Sequence, residues 1–446
     1  MNKGVGLLVL VLLIAPFVSL AKANFFPPPA SLTHVYIRSD GAVDPPLLPI
    51  QRSGNTYTFT NGLDNLTLEI ERSNVDVNGA GYFLIGNSSG QGIVIANQTN
   101  VVVRNLTLTN LREGVNIASC ENITLTGITV LQSETGVSMF ASSSNVITDC
   151  NFTANSGYAV ILFGGSRNNS VTDNQFVRNG NGGLTLQPPD ASEGSHSSCD
   201  YNNISRNYFD SNINYGISIF GASHCRITYN NMSDSEQGIQ LAGTSSRENI
   251  VLANRISRCS SFGLLVTAGP SQNNVTENTL KDNLIGVEIV LSSNNLFLDN
   301  NFINNWKAAE DFIAQNSTTA LSAASSVNIW SDNASKQGNF WSDYAGYDDN
   351  SDGIGDLPRV VDSNNRDLYP LMRPFGVVPD YSLPSPFPIP VITRLPVPTN
   401  QTTPTSEPKA SSGASTIALS VLGTIAIIAV ALVFVFRRRK TSDKHA

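Results

Sequence analysis

Gly216-Ile-Ser-Ile219 is followed by Gly238-Ile-Gln-Leu241, Gly263-Leu-Leu-Val266 and Gly286-Val-Glu-Ile289. The same unit, glycine then aliphatic-x-aliphatic, occurs earlier at Gly92-Ile-Val-Ile95, Gly114-Val-Asn-Ile117, Gly136-Val-Ser-Met139 and Gly183-Leu-Thr-Leu186, and Ala159-Val-Ile-Leu162 fills the register that lacks a glycine. It returns every 22 to 25 residues, with one longer step of 33 from Gly183 to Gly216. Alternation inside each unit is the period of a strand, and a fixed period of this length is the mark of a solenoid. One such strand cannot bury its apolar face alone, whereas stacked copies can.

A second row runs in phase. Asn174, Asn207, Asn230, Asn254, Asn278 and Asn300 each stand two residues before an apolar side chain, namely Phe176, Phe209, Met232, Ile256, Leu280 and Phe302. Asparagine suits tight corners and bonds to nearby backbone, and stacked at the strand spacing of roughly 4.8 Å it also bonds to its own copies. Two strand signals within one short repeat exclude helix-pair repeats, which run to roughly 33 residues or more. The reading is an all-β, right-handed parallel β-helix of about ten coils over residues 57–306. A lead-in over 24–56 precedes it, and a C-terminal cap over 307–376 follows, in which Trp306, Trp330 and Trp341 cover the last open coil.

Both ends carry an address. Met1-Asn-Lys3, an apolar run from Val5 to Leu20 and Ala21-Lys-Ala23 read as a secretory signal over residues 1–23. Residues 415–436 are uncharged and long enough to span a bilayer, and Arg437-Arg-Arg-Lys440 opens a basic tail over 437–446. Between them, 377–414 is rich in Pro, Ser and Thr, the composition of an extended stalk. The expectation is a cell-surface, single-pass membrane protein with its N-terminal part outside. Thirteen N-x-S/T sequons from Asn65 to Asn400 make it a candidate glycoprotein. Charged residues are only 14% of the chain and the net charge is −8, which argues against nucleic acid as partner.

Three places rise above the repeat. Asp348, Asn350, Asp352, the carbonyl of Ile354 and Asp356, with Gly353 at the sharp turn, follow the first nine positions of a calcium loop. The twelfth position is Arg359 instead of a bidentate Glu, so Asp362 or Asp367 would have to substitute. The insertion before Gly216 carries His196 and Cys199, and one coil later come His224 and Cys225. Two imidazoles and two thiolates would hold copper or zinc, while outside the cell a Cys199–Cys225 disulfide is the competing expectation. Cys150 stands in the asparagine register and reads as a small buried residue. Finally, Asp149 and Asp173 occupy equivalent positions on adjacent coils, with Arg206 on the next, and stacked carboxylates are a candidate acid/base pair.

Gly338-Asn-Phe-Trp341-Ser-Asp-Tyr344, the Asp348–Asp356 loop, Leu357-Pro-Arg-Val-Val-Asp362 and Arg366-Asp-Leu-Tyr-Pro-Leu-Met372 resemble the ending of the NosD family of secreted parallel β-helix proteins, archaeal surface members above all. Asn74-Val-Asp-Val-Asn-Gly-Ala-Gly81 resembles that family's first coil. The resemblance covers residues 57–375 and implies the β-helix fold and a role in copper handling. Sugar hydrolases, lyases and epimerases share the fold. The expectation for function is a surface protein that binds cell-envelope glycans or envelope proteins without catalysis, with copper or zinc handling and a polysaccharide lyase, hydrolase or epimerase as alternatives. Asn116, Ser138, Thr185, Ser218, Gln240 and Glu288, outward by alternation, form the expected contact stripe.

Overall fold

A computed structural model describes residues 33–187, 198–311 and 326–376. All belong to one compact unit, residues 25–387; the other unit, 1–24 with 388–446, lies outside the described residues. So do the signal, the stalk, the apolar run 415–436 and His196. Among the described residues no helix is long and apolar enough to cross a membrane.

The chain winds as an all-β parallel solenoid of about 11 turns. A coil contains one long and two short strands. Tyr215–Phe220 is a long strand, Arg226–Thr228 and Asn231–Ser233 are the short ones, and Gln237–Ala242 begins the next coil. Long strands stack in register, Ile217 beside Ile239 and Ile239 beside Leu264, in a sheet of 13 strands. The first rung comes earlier than the repeat indicates, because Thr33–Ile37, inside the stretch read as lead-in, pairs in parallel with Leu66–Ile70. Glycine opens most long strands because the rungs approach closely there. A Cβ on Gly114 would sit 2.6 Å from the Gly136 carbonyl oxygen.

The core is the stack of aliphatic pairs from the long strands facing the middle residues of the short ones. Phe152, Phe176 and Phe209 stack face to face at centroid distances of 5.2 and 4.5 Å. Asparagine lines three corners, not one. The expected row from Asn174 to Asn300 is fully buried. A second row contains Asn145, Asn169, Asn202, Asn249, Asn273 and Asn295, and a third contains Asn155, Asn179, Asn212, Asn283 and Asn305. Before each sits a residue with positive φ, such as Asp173 at +60° or Asp282 at +56°, so the corner residue faces out and its successor faces in.

At the C-terminal end the rows run on. Asn295 donates through its main-chain N–H to Asn328 and Asn300 to Asn339, and these two donate in turn to Asn365 (2.8 Å) and Asp367 (2.7 Å). Trp330 and Trp341 are buried against Phe297 and Phe302, and each indole N–H is bonded, to Asn365 and Asp367 respectively. Trp306 departs from the expectation. It is 79% exposed and covers nothing, because it follows the inward-facing Asn305 and is turned outward at the corner.

Candidate functional site

The expected contact stripe is not a surface. Asn116, Ser138, Thr185, Ser218, Gln240 and Glu288 do sit on the outer side of the long sheet, yet none is more than 8% exposed. Bulky rows flank them. Phe140 packs on Phe163 on one side, and Tyr158 and Tyr215 stack on the other with Gly182 between them, where a Cβ would strike the Tyr215 ring at 2.5 Å. The polar groups between also bond to each other, Ser218 Oγ donating to Gln240 Oε1 at 2.7 Å and Asn116 Nδ2 to Glu113 at 2.9 Å.

Asp149, Asp173 and Arg206 do share one column of left-handed corners, with φ of +54°, +60° and +56°. Their chemistry there is an ion pair. Arg206 holds both oxygens of Asp173, at 2.8 and 2.7 Å, and Asp149 accepts a hydrogen bond from Thr148. Both Asp173 oxygens are thus taken up by a neighbouring side chain, which leaves neither aimed at a reacting group.

The structure does not bring His224 together with Cys199 and Cys225. His224 is a corner residue facing out, stacked on Tyr201 at 4.7 Å with Nδ1 3.4 Å from Glu248. Cys225, its successor, faces in and takes an asparagine position, its N–H donating to Asn249 Oδ1. Nor are the two sulfurs joined. All five cysteines are free and buried, the Cys199 thiol turned to the carbonyls of Leu162 and Gln187 and the Cys225 thiol to those of Cys199 and Ser223. Burial pushes the thiols of Cys150, Cys199, Cys225 and Cys259 up to about 12.

The acidic loop keeps its expected order, but its oxygens are turned to backbone. Asp348 accepts from the N–H of Asp352 and Gly353, Asp352 from Ile354, and Asp356 from Asp349. Neither proposed twelfth ligand reaches it. Asp362 binds the N–H of Asn364 and Asn365, and Asp367 is buried at the end of an asparagine row. Among the described residues no three His, Cys, Asp or Glu side chains converge as a metal centre.

What the structure adds is a groove of about 520 Å³ on the face built by the second short strand of each coil. The strands Tyr208–Asp210, Asn231–Ser233, Arg255–Ser257, Thr279–Lys281 and Asn301–Ile303 stack there. The middle residue of each is core, so the first and third face out. Tyr208, Asn231, Ser233, Arg255, Thr279 and Lys281 therefore line the floor. Arg258 and Asp282 stand along the corner, and Arg258 is locked to Asp234 by bonds of 2.8 and 2.6 Å. Pro374 and Gly376 close one end. That end is held by Asn301, which accepts from the N–H of Phe375 at 2.7 Å and donates to its carbonyl at 3.1 Å. Alternation about Phe209, Met232, Ile256, Leu280 and Phe302 made these floor positions legible; the return of residues 374–376 from 74 positions along the chain was not.

Two family models match segments of the chain, and one of them describes this architecture. Residues 192–346 match the family described as "Periplasmic copper-binding protein (NosD)", and residues 61–188 match "Right handed beta helix region". No curated protein matches the sequence. Among solved structures, the A-module of mannuronan C-5 epimerase AlgE6 of Azotobacter vinelandii aligns over 63% of this chain and 87% of its own, at 12% identity and a TM-score of 0.43. The periplasmic alginate epimerase AlgG aligns over 63% and 73%, at 15% and 0.44. DFA-IIIase from Arthrobacter chlorophenolicus A6 without its lid aligns over 60% and 74%, at 12% and 0.45. The copper in the family's description finds no fitting donor set among the described residues, since the thiols are interior and turned to backbone carbonyls and His224 faces away from them. The matched segments and the coil-by-coil stacking nonetheless agree, and residues 61–346 carry a NosD-like right-handed parallel β-helix.

Proposed function

We propose that this protein binds a glycan of the cell envelope in the groove on its short-strand face, without catalysis. The groove itself carries the reading. Five rungs present hydroxyl, amide and guanidinium groups with one tyrosine, the mix of fixed polar contacts and aromatic surface that suits a polyhydroxylated chain, and the cations there are offset by Asp210, Asp234 and Asp282. The apolar leader, the Pro/Ser/Thr stretch 377–414 and the run 415–436 with its basic flank support placement at the outer cell surface on a single span. The competing catalytic reading rested on Asp149 and Asp173, and Arg206 already occupies the second of them.

Calorimetric titration of the full-length chain with neutral, amino-sugar and uronic oligosaccharides should find a binding class. Tyr208→Ala and Arg255→Ala should each weaken it by about tenfold, as loss of a contact worth over 1 kcal/mol does. A chain that binds none of them, or binds equally well with both side chains removed, rules the groove out.

We further propose that calcium clamps the Asp348–Asp356 loop and that residues 326–376 close the solenoid. Support for this comes from the residue order, from Gly353 at φ +86° and from the bonding of the loop to the segment that precedes the groove's end, Gly355 N–H to the Pro370 carbonyl and Met372 N–H to that of Gly353. A hundredfold excess of calcium over its Kd should stabilise the chain by about 2.7 kcal/mol. Asp348→Ala and Asp352→Ala should each abolish the gain. Identical melting temperatures in calcium and in chelator would refute the clamp.

A further inference from the structure

Two of the three tryptophans are wholly buried, and the third is among the most exposed apolar side chains of the described residues. Trp306 does not stand alone. Its N–H bonds to the carbonyl of Asn283 at 3.0 Å and the N–H of Lys307 to that of Leu284 at 3.0 Å, so Leu284, 46% exposed, is its partner on the rung below. Isolated exposed apolar residues are ordinary and ask for no explanation. A tryptophan and a leucine in the same column, on a backbone pinned by an asparagine row, are a different case.

Their position relative to the groove is fixed by the corner. Ile303 lines the groove, Asn304 turns with φ +51°, Asn305 faces in and accepts from Asn283, and Trp306 faces out. One rung below, Lys281 and Asp282 line the groove, Asn283 faces in and Leu284 faces out. Two residues of chain span at most about 7 Å, so Leu284 lies about one sugar ring from Asp282, and Trp306 stands beside it on the next rung.

Resting on the glycan reading above, we propose that Trp306 and Leu284 form an aromatic subsite that continues the groove around its corner and stacks on the apolar face of a sugar ring. A pyranose has polar edges and a flatter C–H face. The groove offers partners for the first, and the indole offers a broad, rigid surface for the second at small entropic cost.

The two buried tryptophans make the test selective. Titration of the full-length chain with the hexasaccharide that binds best in calorimetry should blue-shift and change the intensity of the tryptophan emission. Trp306→Phe should abolish that optical change while retaining most of the affinity. Trp306→Ala should lose roughly three- to tenfold in affinity, the span of an aromatic contact. Heat of binding with unchanged emission, or Trp306→Ala binding as tightly as the native chain, overturns the subsite and leaves the groove standing. An absence of calorimetric binding to any of the oligosaccharides overturns both.

Discussion

Glu288→Gln should stabilise the protein at neutral and alkaline pH and flatten the pH dependence of its stability. Glu288 is on the outer side of the long sheet, in register with Leu265 on one side and Glu310 on the other. It is 1% exposed, and neither carboxyl oxygen has a hydrogen-bond partner. Burial raises its pKa to about 9, with Glu310 and Asp311 adding to the rise and Lys307, which is paired with Glu310, opposing it. The unfolded chain releases this proton near its ordinary value of about 4.3, so between there and pH 9 the native state holds a proton that the unfolded state has lost. Stability must therefore fall as pH rises through that window. Each unit is worth about 1.4 kcal/mol, which makes the loss on the order of 4 kcal/mol by pH 7. Glutamine has nearly the same shape and no proton to lose. Urea unfolding followed through Trp330 and Trp341, which stack on Phe297 and Phe302, should show variant and native chain alike near pH 4 and the variant ahead by pH 7. Parallel curves for the two proteins across this range would mean that the carboxyl is not held neutral.

The same residue shows what the sequence made legible and what it did not. Alternation in Gly286-Val-Glu-Ile289 correctly puts Val287 and Ile289 in the core and Glu288 on the other side. Alternation fixes the side of a sheet on which a residue lies, but it says nothing of what flanks that side. The tyrosine and phenylalanine rows that enclose the stripe come from positions up to two rungs apart, and only the stacking aligns them. His224 is parted from the cysteines for a related reason. His224 and Cys225 are neighbours in sequence, but a corner with positive φ sends successive side chains to opposite sides of the wall. The asparagine row from Asn174 to Asn300 was visible because nothing interrupts it. Its two companions are broken by Cys225, by Ser235 and by Cys259, which hide their period. The groove's floor was implicit in the alternation about the core residues, and its closed end depended on a return of the chain that no local pattern announces.

Asn254→Ala should be among the most damaging single substitutions in the solenoid, and the reason is the number of groups it leaves without a partner. Asn254 Oδ1 accepts from the main-chain N–H of Asn230 at 2.9 Å and from its side-chain amide at 3.0 Å. Its own amide donates to the carbonyl of Ile227 at 2.8 Å and to Asn278 Oδ1 at 3.0 Å. All of these atoms lie inside the wall, where a donor or acceptor left unpaired costs about 1–3 kcal/mol. With the Asn230 N–H and the Ile227 carbonyl both orphaned, a loss of about 3–5 kcal/mol is expected, comparable to removing a large core side chain. Asn254→Asp should be worse, because it adds an unpaired charge and removes the donor. Asn254→Cys should cost less than alanine. The chain already uses that solution at Cys150, whose thiol donates to the Leu125 and Thr148 carbonyls while its N–H keeps the bond to the next asparagine. Nearest-neighbour coupling in a solenoid confines the first effect to the coils on either side. Hydrogen exchange of the Asn230, Asn254 and Asn278 amides should therefore accelerate before the amides of the N-terminal coils do. Retention of native protection at Asn230 in the alanine variant, with stability within 1 kcal/mol of the native chain, would show that the asparagine rows follow the corners without holding them.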